Sequence, residues 1–233
     1  MLIFALDSSA VVATVALYRD KTPLASFTLK NGNTHSETLL PMAKALFDVT
    51  GYTPDDVDIF ACSEGPGSFT GVRIGAATVK GLSFGKNKTV IGVSTLEAMA
   101  RNLLPAKGLI CPVMNARRGQ VYNALFEADG DTLTRLCPDR ALAATELADE
   151  LREKGLPFYL IGDGKDVATA AFGDLSPLPC PTLVSEQHAA GVAAAALLLY
   201  ENGVRTTDKE LSPTYLRLPQ AERERLEKTR AQN

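Results

Sequence analysis

The segment Ser63-Glu64-Gly65-Pro66-Gly67-Ser68-Phe69-Thr70-Gly71-Val72-Arg73-Ile74-Gly75 constrains the fold more than any other stretch of this chain. It follows the apolar run Val57-Asp58-Ile59-Phe60-Ala61-Cys62 and precedes a long stretch without helix breakers. That order predicts strand, tight turn and helix. The glycines permit positive φ or close backbone approach, while Pro66 fixes its own φ and stiffens the turn. Ser68 or Thr70 can cap the helix, whose free N–H groups form a potential anion site.

The flanking pattern extends this unit. Apolar residues 2–7 end in Asp7-Ser8-Ser9, and strands are expected over 11–17 and 24–29, joined by a turn at Arg19-Asp20-Lys21-Thr22-Pro23. Thr34-x-x-Glu37 has capping-box form and opens a helix that should reach Thr50 and stop at Gly51, with Pro41 bending it or shifting its start. A strand at 57–63, a helix at 69–84, a strand at 89–93 and a helix at 94–103 complete a β-β-β-α-β-α-β-α order, which reads as one α/β unit. After Pro105-Ala106-Lys107-Gly108 the pattern restarts: strands at 109–114, 120–126 and 133–136, a helix at 145–154, a strand at 158–161, Gly162-Asp163-Gly164 and a short helix to Phe172. The prolines of Ser176–Pro181 exclude a helix there, and an alanine-rich helix is expected from Ser185 to Glu201. The predicted division is 1–104, 105–219 and a charged tail at 220–233 that alternates Lys or Arg with Glu.

Composition narrows the function classes. A net charge of −3 supplies no global field for nucleic acid or anionic membranes. The N-terminal run lacks a basic region and meets Asp7 early, and no apolar run approaches the roughly 20 residues that span a bilayer. A cytoplasmic location is expected. Four cysteines (Cys62, Cys111, Cys137, Cys180) have neither zinc-ligand nor redox spacing, and three of them are expected as buried free thiols. No Walker-type loop and no Gly-x-Ser-x-Gly elbow is present. His35 and His188 are the only histidines, so a histidine metal centre lacks ligands. Asp7, Ser8 and Ser9 stand where an α/β fold places a phosphate or metal loop, although capping explains such residues equally well.

Both N-terminal helices carry two apolar stripes. One joins Leu39, Met42, Leu46 and Val49, with Leu40, Ala43 and Phe47 beside it; the other helix has Val72, Ala76 and Val79, with Gly71, Gly75, Thr78 and Leu82 beside them. A helix lying on a sheet needs only one stripe, so the second face is buried elsewhere in the chain or against a partner. The expected partner surface is Leu39, Leu40, Ala43, Phe47, Gly71, Gly75, Thr78, Val79 and Leu82. Charge at Gly75 or Thr78 is expected to weaken association without unfolding the chain.

These segments resemble the bacterial TsaB (YeaZ) family: Leu6-Asp7-Ser8-Ser9, Thr34 to Pro41, Gly65 to Gly75, Met114-Asn115-Ala116-Arg117-Arg118-Gly119-Gln120-Val121-Tyr122, and Pro213-Thr214-Tyr215-Leu216-Arg217. The family usually has acids where this chain has Asn115 and Gln120. The resemblance implies an α/β fold of two tandem actin/Hsp70/sugar-kinase-like domains, each a mixed sheet with flanking helices. It also implies a non-catalytic subunit in N6-threonylcarbamoylation of adenosine 37 in ANN-decoding tRNAs, with contact to tRNA only indirect. The implied partners are the paralogous transferase TsaD, bound through helices 36–50 and 69–84, and the ATPase TsaE; a homodimer is expected in isolation. TsaD-type proteins carry paired metal-binding histidines on the first helix, where this chain has His35 alone. No catalytic residue, metal or cofactor is therefore expected. A nucleotide lodged at the TsaB–TsaD junction, an autonomous sugar-kinase-type ATPase using Asp7, and a protease acting on TsaD are the competing readings.

Overall fold

The computed structural model describes residues 1–217; the expected charged tail at 220–233 lies outside them. The first half forms strands β1 (Leu2–Asp7), β2 (Ala13–Arg19) and β3 (Thr22–Leu29), helix α1 (His35–Thr50), strand β4 (Ile59–Gly65), helix α2 (Phe69–Ser83), strand β5 (Thr89–Ser94) and helix α3 (Thr95–Arg101). Its five strands lie in the order β3-β2-β1-β4-β5. β1 is antiparallel to β2 and parallel to β4. Alternation along β1 sends Leu2, Phe4 and Leu6 to the face covered by α1 and α2. Ile3 and Ala5 point to the opposite face, covered by α3 and the late helix α6 (Ala189–Glu201).

α1 starts where the capping box is expected: Glu37 Oε2 accepts from Thr34 N at 3.2 Å and Thr34 Oγ1 at 2.8 Å. Pro41 lies inside the helix rather than at its start, and Gly51 closes it at φ +70°. α2 is capped by Ser68, whose Oγ accepts from Gly71 N at 3.2 Å.

The second half places five strands, not three, before its own helix–strand–helix. It comprises β6 (Lys107–Arg117), β7 (Gln120–Asn123), β8 (Phe126–Asp129), β9 (Thr132–Arg135), β10 (Arg140–Ala143), α4 (Ala144–Lys154), β11 (Phe158–Ile161) and α5 (Lys165–Phe172), before a 3₁₀ turn at Thr182–Val184 and α6. β7 and β8 run antiparallel to successive parts of β6, and β10 and β9 pair with them in turn. β11 adds to β6 in parallel, as β4 adds to β1. The strand expected over 120–126 is therefore interrupted. Its register places Ala124 opposite Pro112, which has no N–H to donate to the ladder. The buried Asn123 amide instead bonds Pro112 O at 3.0 Å. Each half is thus a mixed sheet with flanking helices.

The chain returns to its first sheet at the end. α6 starts at Ala189 instead of Ser185, because His188 Nδ1 accepts from Ala190 N and caps it. It packs on Ile3, Ala5, Ala16 and Ile59 of the first sheet, not on the second. Val90 N then donates to Thr206 O at 2.9 Å, and Leu211 joins the first core. α3 is shared: Ala98 faces the first sheet, while Leu96, Met99 and Ala100 pack with Ile110, Met114 and Phe126 of the second. Cys62 and Cys111 are buried free thiols, raised well above the ordinary thiol pKa by desolvation. Cys137 and Cys180 are free and only half-buried, so two thiols rather than three are sealed in the core.

Candidate functional site

Asp7, Ser8 and Ser9 are all buried. Asp7 Oδ1 accepts from Ser9 N at 2.8 Å and Ser9 Oγ at 2.6 Å, and Oδ2 accepts from Ser63 Oγ at 2.6 Å. Burial pushes the Asp7 carboxyl pKa up, opposed by these hydrogen bonds. Ser8 Oγ donates to Gly71 O at 2.9 Å. The triplet ties β1 to β4 and α2, with its polar atoms turned into the protein.

This packing corrects the expected role of the glycine stripe. A Cβ at Gly71 would stand 2.0 Å from Ser8 O, and one at Gly75 would stand 2.6 Å from Ser8 Oγ and 3.1 Å from Leu6 Cδ1. Gly71 and Gly75 let α2 approach this chain's own β1. Leu39, Ala43, Phe47 and Val79 are likewise buried in the first core, with Phe47 stacked on Phe4 at 5.4 Å between centroids. The expected behaviour of a charge at Gly75, weakened association in an intact fold, is overturned, because the added side chain has no room. Thr78 is half-buried and returns its hydroxyl to Ile74 O.

What remains outward is narrower. A groove of about 630 Å³ opens between α1 and the end of α2, lined by Leu40, Pro41, Phe47, Tyr52 and Leu82 among others. Leu40 is 54% exposed, Val49 69% and Phe84 76%, so apolar surface continues around the groove. Tyr52 and Phe84 were missed by reading stripes, since both lie just beyond helix ends, while Val49 was read in the first stripe of α1 but not placed on the partner surface.

A second concavity, about 430 Å³, separates the two sheets at the N-terminus of α2. One wall carries Ser9, Ser68, Phe69 and Thr70; the other carries Asn115, Arg117 and Asp163. The segment 211–217 lies across its mouth: Thr214 N donates to Glu64 O at 2.7 Å, Tyr215 stacks on Phe69 at 4.3 Å, and Arg217 Nη1 reaches Ala116 O at 2.5 Å. Arg73 lies 3.9 Å from the Phe69 centroid and donates from Nε to Tyr215 OH at 2.7 Å. Asn115 Oδ1 accepts from Arg117 N at 2.8 Å and holds that residue at φ +64°. An aspartate could accept the same bond, so Asn115 keeps the turn that the family's acid would make. Gln120 is half-buried at the start of β7.

Asp163 sits within Gly162-Asp163-Gly164 after β11, and burial raises its carboxyl pKa. His188 is held below its ordinary pKa by burial. His35 Nε2 lies 2.6 Å from Ala10 O and donates to it, which fixes the tautomer. Among the described residues no three His, Cys, Asp or Glu side chains converge as a metal site, and no helix is long and apolar enough to cross a membrane.

Comparison with known proteins agrees with this architecture. The family model described as TsaD, tRNA N6-adenosine threonylcarbamoyltransferase, matches residues 30–224. The tRNA threonylcarbamoyladenosine biosynthesis protein TsaB of Bacillus subtilis strain 168 is 31% identical over 222 residues, covering 95% of this chain and 96% of that one. Its counterpart from Escherichia coli strain K12 is 37% identical over 131 residues, covering 55% and 56%. The solved structure of YeaZ from Pseudomonas aeruginosa superposes with a TM-score of 0.81 at 25% identity, covering 92% of this chain and 99% of that one. The chain thus belongs to the TsaB (YeaZ) family of tRNA threonylcarbamoyladenosine biosynthesis proteins, related in sequence to the TsaD transferases.

Proposed function

We propose that this chain is a non-catalytic subunit that binds a TsaD-type transferase through the α1–α2 groove and supports its modification of tRNA. The groove carries the reading: about 630 Å³ lined by Leu40, Phe47, Tyr52 and Leu82, with Phe84 and Val49 exposed beside it. Apolar surface concentrated on two adjacent helices is the kind of patch that marks a protein interface. A paralogue with equivalent helices is its natural occupant, since matching ridges and grooves pack at a fixed angle. In the absence of TsaD, a second copy of this chain covers the same face as an isologous homodimer. TsaE joins the assembly elsewhere, and no cofactor is required by this chain for docking.

The sealed Asp7 carboxylate supports a subunit over a sugar-kinase-type ATPase, because all its hydrogen bonds are internal. A partner that binds one conformer of the transferase better shifts its population toward that conformer. The test is calorimetric titration of TsaD with the wild-type chain and with Leu40→Arg plus Leu82→Arg. The double variant should fold normally and bind at least about tenfold more weakly, a loss of ~1.4 kcal/mol or more. Unchanged affinity in a folded double variant removes the groove assignment.

A further inference from the structure

The chain holds two Asn-Gly pairs, Asn31-Gly32 in the link from β3 to α1 and Asn202-Gly203 at the end of α6. In such a pair the glycine nitrogen can reach the asparagine side-chain carbonyl, because no Cβ shields it. Both pairs are exposed, so solvent access does not separate them. Backbone pairing does. Asn202 N donates to Leu198 O, Gly203 N to Tyr200 O and Val204 N to Leu199 O, each at 3.0 Å. The Gly203 nitrogen is committed to the helix end and can attack only after the last turn opens.

The Gly32 nitrogen donates to no acceptor among the described residues. Gly32 stands at φ +80°, and a Cβ built there would meet nothing within 4 Å. Asn31 Oδ1 accepts from Asn33 N at 3.0 Å. That bond holds the side chain against its own backbone and polarises the carbonyl toward attack. The same N–H remains in place to stabilise negative charge that forms on Oδ1. Asn115 receives the equivalent bond from Arg117 N, but it is paired with Val121 in the sheet and followed by the buried Ala116, whose side chain shields the nitrogen. Asn31 alone combines a free neighbouring nitrogen, an open glycine and a donor on the carbonyl oxygen.

We propose that Asn31 is a site of spontaneous deamidation in the folded protein, with Gly32 N as nucleophile and Asn33 N–H as the oxyanion donor. Gly32 N loses its proton to water or hydroxide and bonds to Asn31 Cγ. The Cγ–Nδ2 bond then breaks, and Nδ2 takes a proton from water and leaves as ammonia. Water adds to either carbonyl of the cyclic imide and opens it to aspartate or isoaspartate, with no change of oxidation state. Each product adds a negative charge just ahead of the Thr34 cap of α1, beside the Lys30–Glu186 ion pair. Isoaspartate also adds a methylene to the main chain. The link that must absorb it is held at one end by the Leu29–Ala13 pairing and at the other by the Thr34–Glu37 capping box. The site stands apart from the partner groove and from the Asp7 carboxylate.

The experiment incubates the whole chain at neutral and at mildly alkaline pH and follows both Asn-Gly peptides by mass spectrometry after digestion. Enzymatic methylation of isoaspartate gives a second readout. The amide-to-acid mass change should accumulate at Asn31 at least about tenfold faster than at Asn202, and faster at alkaline pH, since the deprotonated nitrogen is the nucleophile. In the urea-unfolded chain the two sites should react at similar rates, because the pairing that protects Gly203 is gone. Gly32→Ala should slow conversion at Asn31 at least about tenfold, since the added methyl group shields the nitrogen and disfavours the positive φ. Equal rates at Asn31 and Asn202 in the folded protein overturn the proposal. So does a folded-state rate at Asn31 well below that of the unfolded chain, or no conversion at all. Conversion that Gly32→Ala leaves unchanged overturns the role of the Gly32 nitrogen.

Discussion

Gly71 and Gly75 set the distance between α2 and β1, and their substitution should be felt as lost stability. Gly71→Ala places a methyl group 2.0 Å from the Ser8 carbonyl oxygen, a backbone atom that cannot swing away. Overpacking of this kind costs about 1–3 kcal/mol. We expect a lowered Tm by thermal denaturation, and an unchanged Tm would contradict the close approach. Asp7 makes a second residue-scale prediction. Its pKa is raised above the ordinary 3.8 by burial, so between 3.8 and the raised value the folded state holds a proton that the unfolded state releases. Stability from this group is therefore largest below the ordinary pKa and falls as pH rises through that window. Urea unfolding of Asp7→Asn should show a weaker fall with pH than the wild type. Asp7→Ala leaves Ser9 and Ser63 donors without their acceptor and should cost about 1–3 kcal/mol. An Asp7→Ala variant as stable as the wild type would refute the structural role.

At the scale of elements, α1 and α2 were legible as helices from Thr34-x-x-Glu37, Gly51, Ser68 and the repeated apolar spacing. That each carries two apolar stripes was legible too, and the structure leaves Leu40 and Val49 of α1 exposed. What covers each side was not, because periodicity records that a face is apolar without recording its neighbour. The small-residue stripe looked like a docking face and is the contact with β1 and Ser8, a long-range approach invisible in local spacing. The outward remainder, exposed Leu40 and half-buried Leu82, is where charge should act. Leu40→Arg alone should weaken association with TsaD while leaving urea unfolding within about 0.5 kcal/mol of the wild type, as exposed sites do. Strand limits failed for a similar reason. Nothing in Gln120 to Phe126 announces the break at Ala124, which is dictated by Pro112 on the neighbouring strand. The start of α6 shifted because His188, rather than Ser185, supplies the cap.

For the whole molecule, a new run of strands does begin after Pro105, with five strands rather than three before the helix–strand–helix that follows. The return of α6 and residues 204–211 to the first sheet was not readable, since an alanine-rich helix carries no sign of which sheet it covers. That return brings Tyr215 and Arg217 to the inter-sheet cleft, so the Pro213-Thr214-Tyr215-Leu216-Arg217 motif acquires a place only in three dimensions.

The most direct measurement is reconstituted tRNA threonylcarbamoylation by TsaD, TsaE and the adenylate-forming enzyme, with the wild-type chain, with Leu40→Arg plus Leu82→Arg, and with Asp7→Asn. The account predicts modification that depends on the chain, is lost with the folded groove variant and persists with Asp7→Asn. Full modification with the groove variant, or its loss with a folded Asp7→Asn, would contradict a subunit acting through its α1–α2 face.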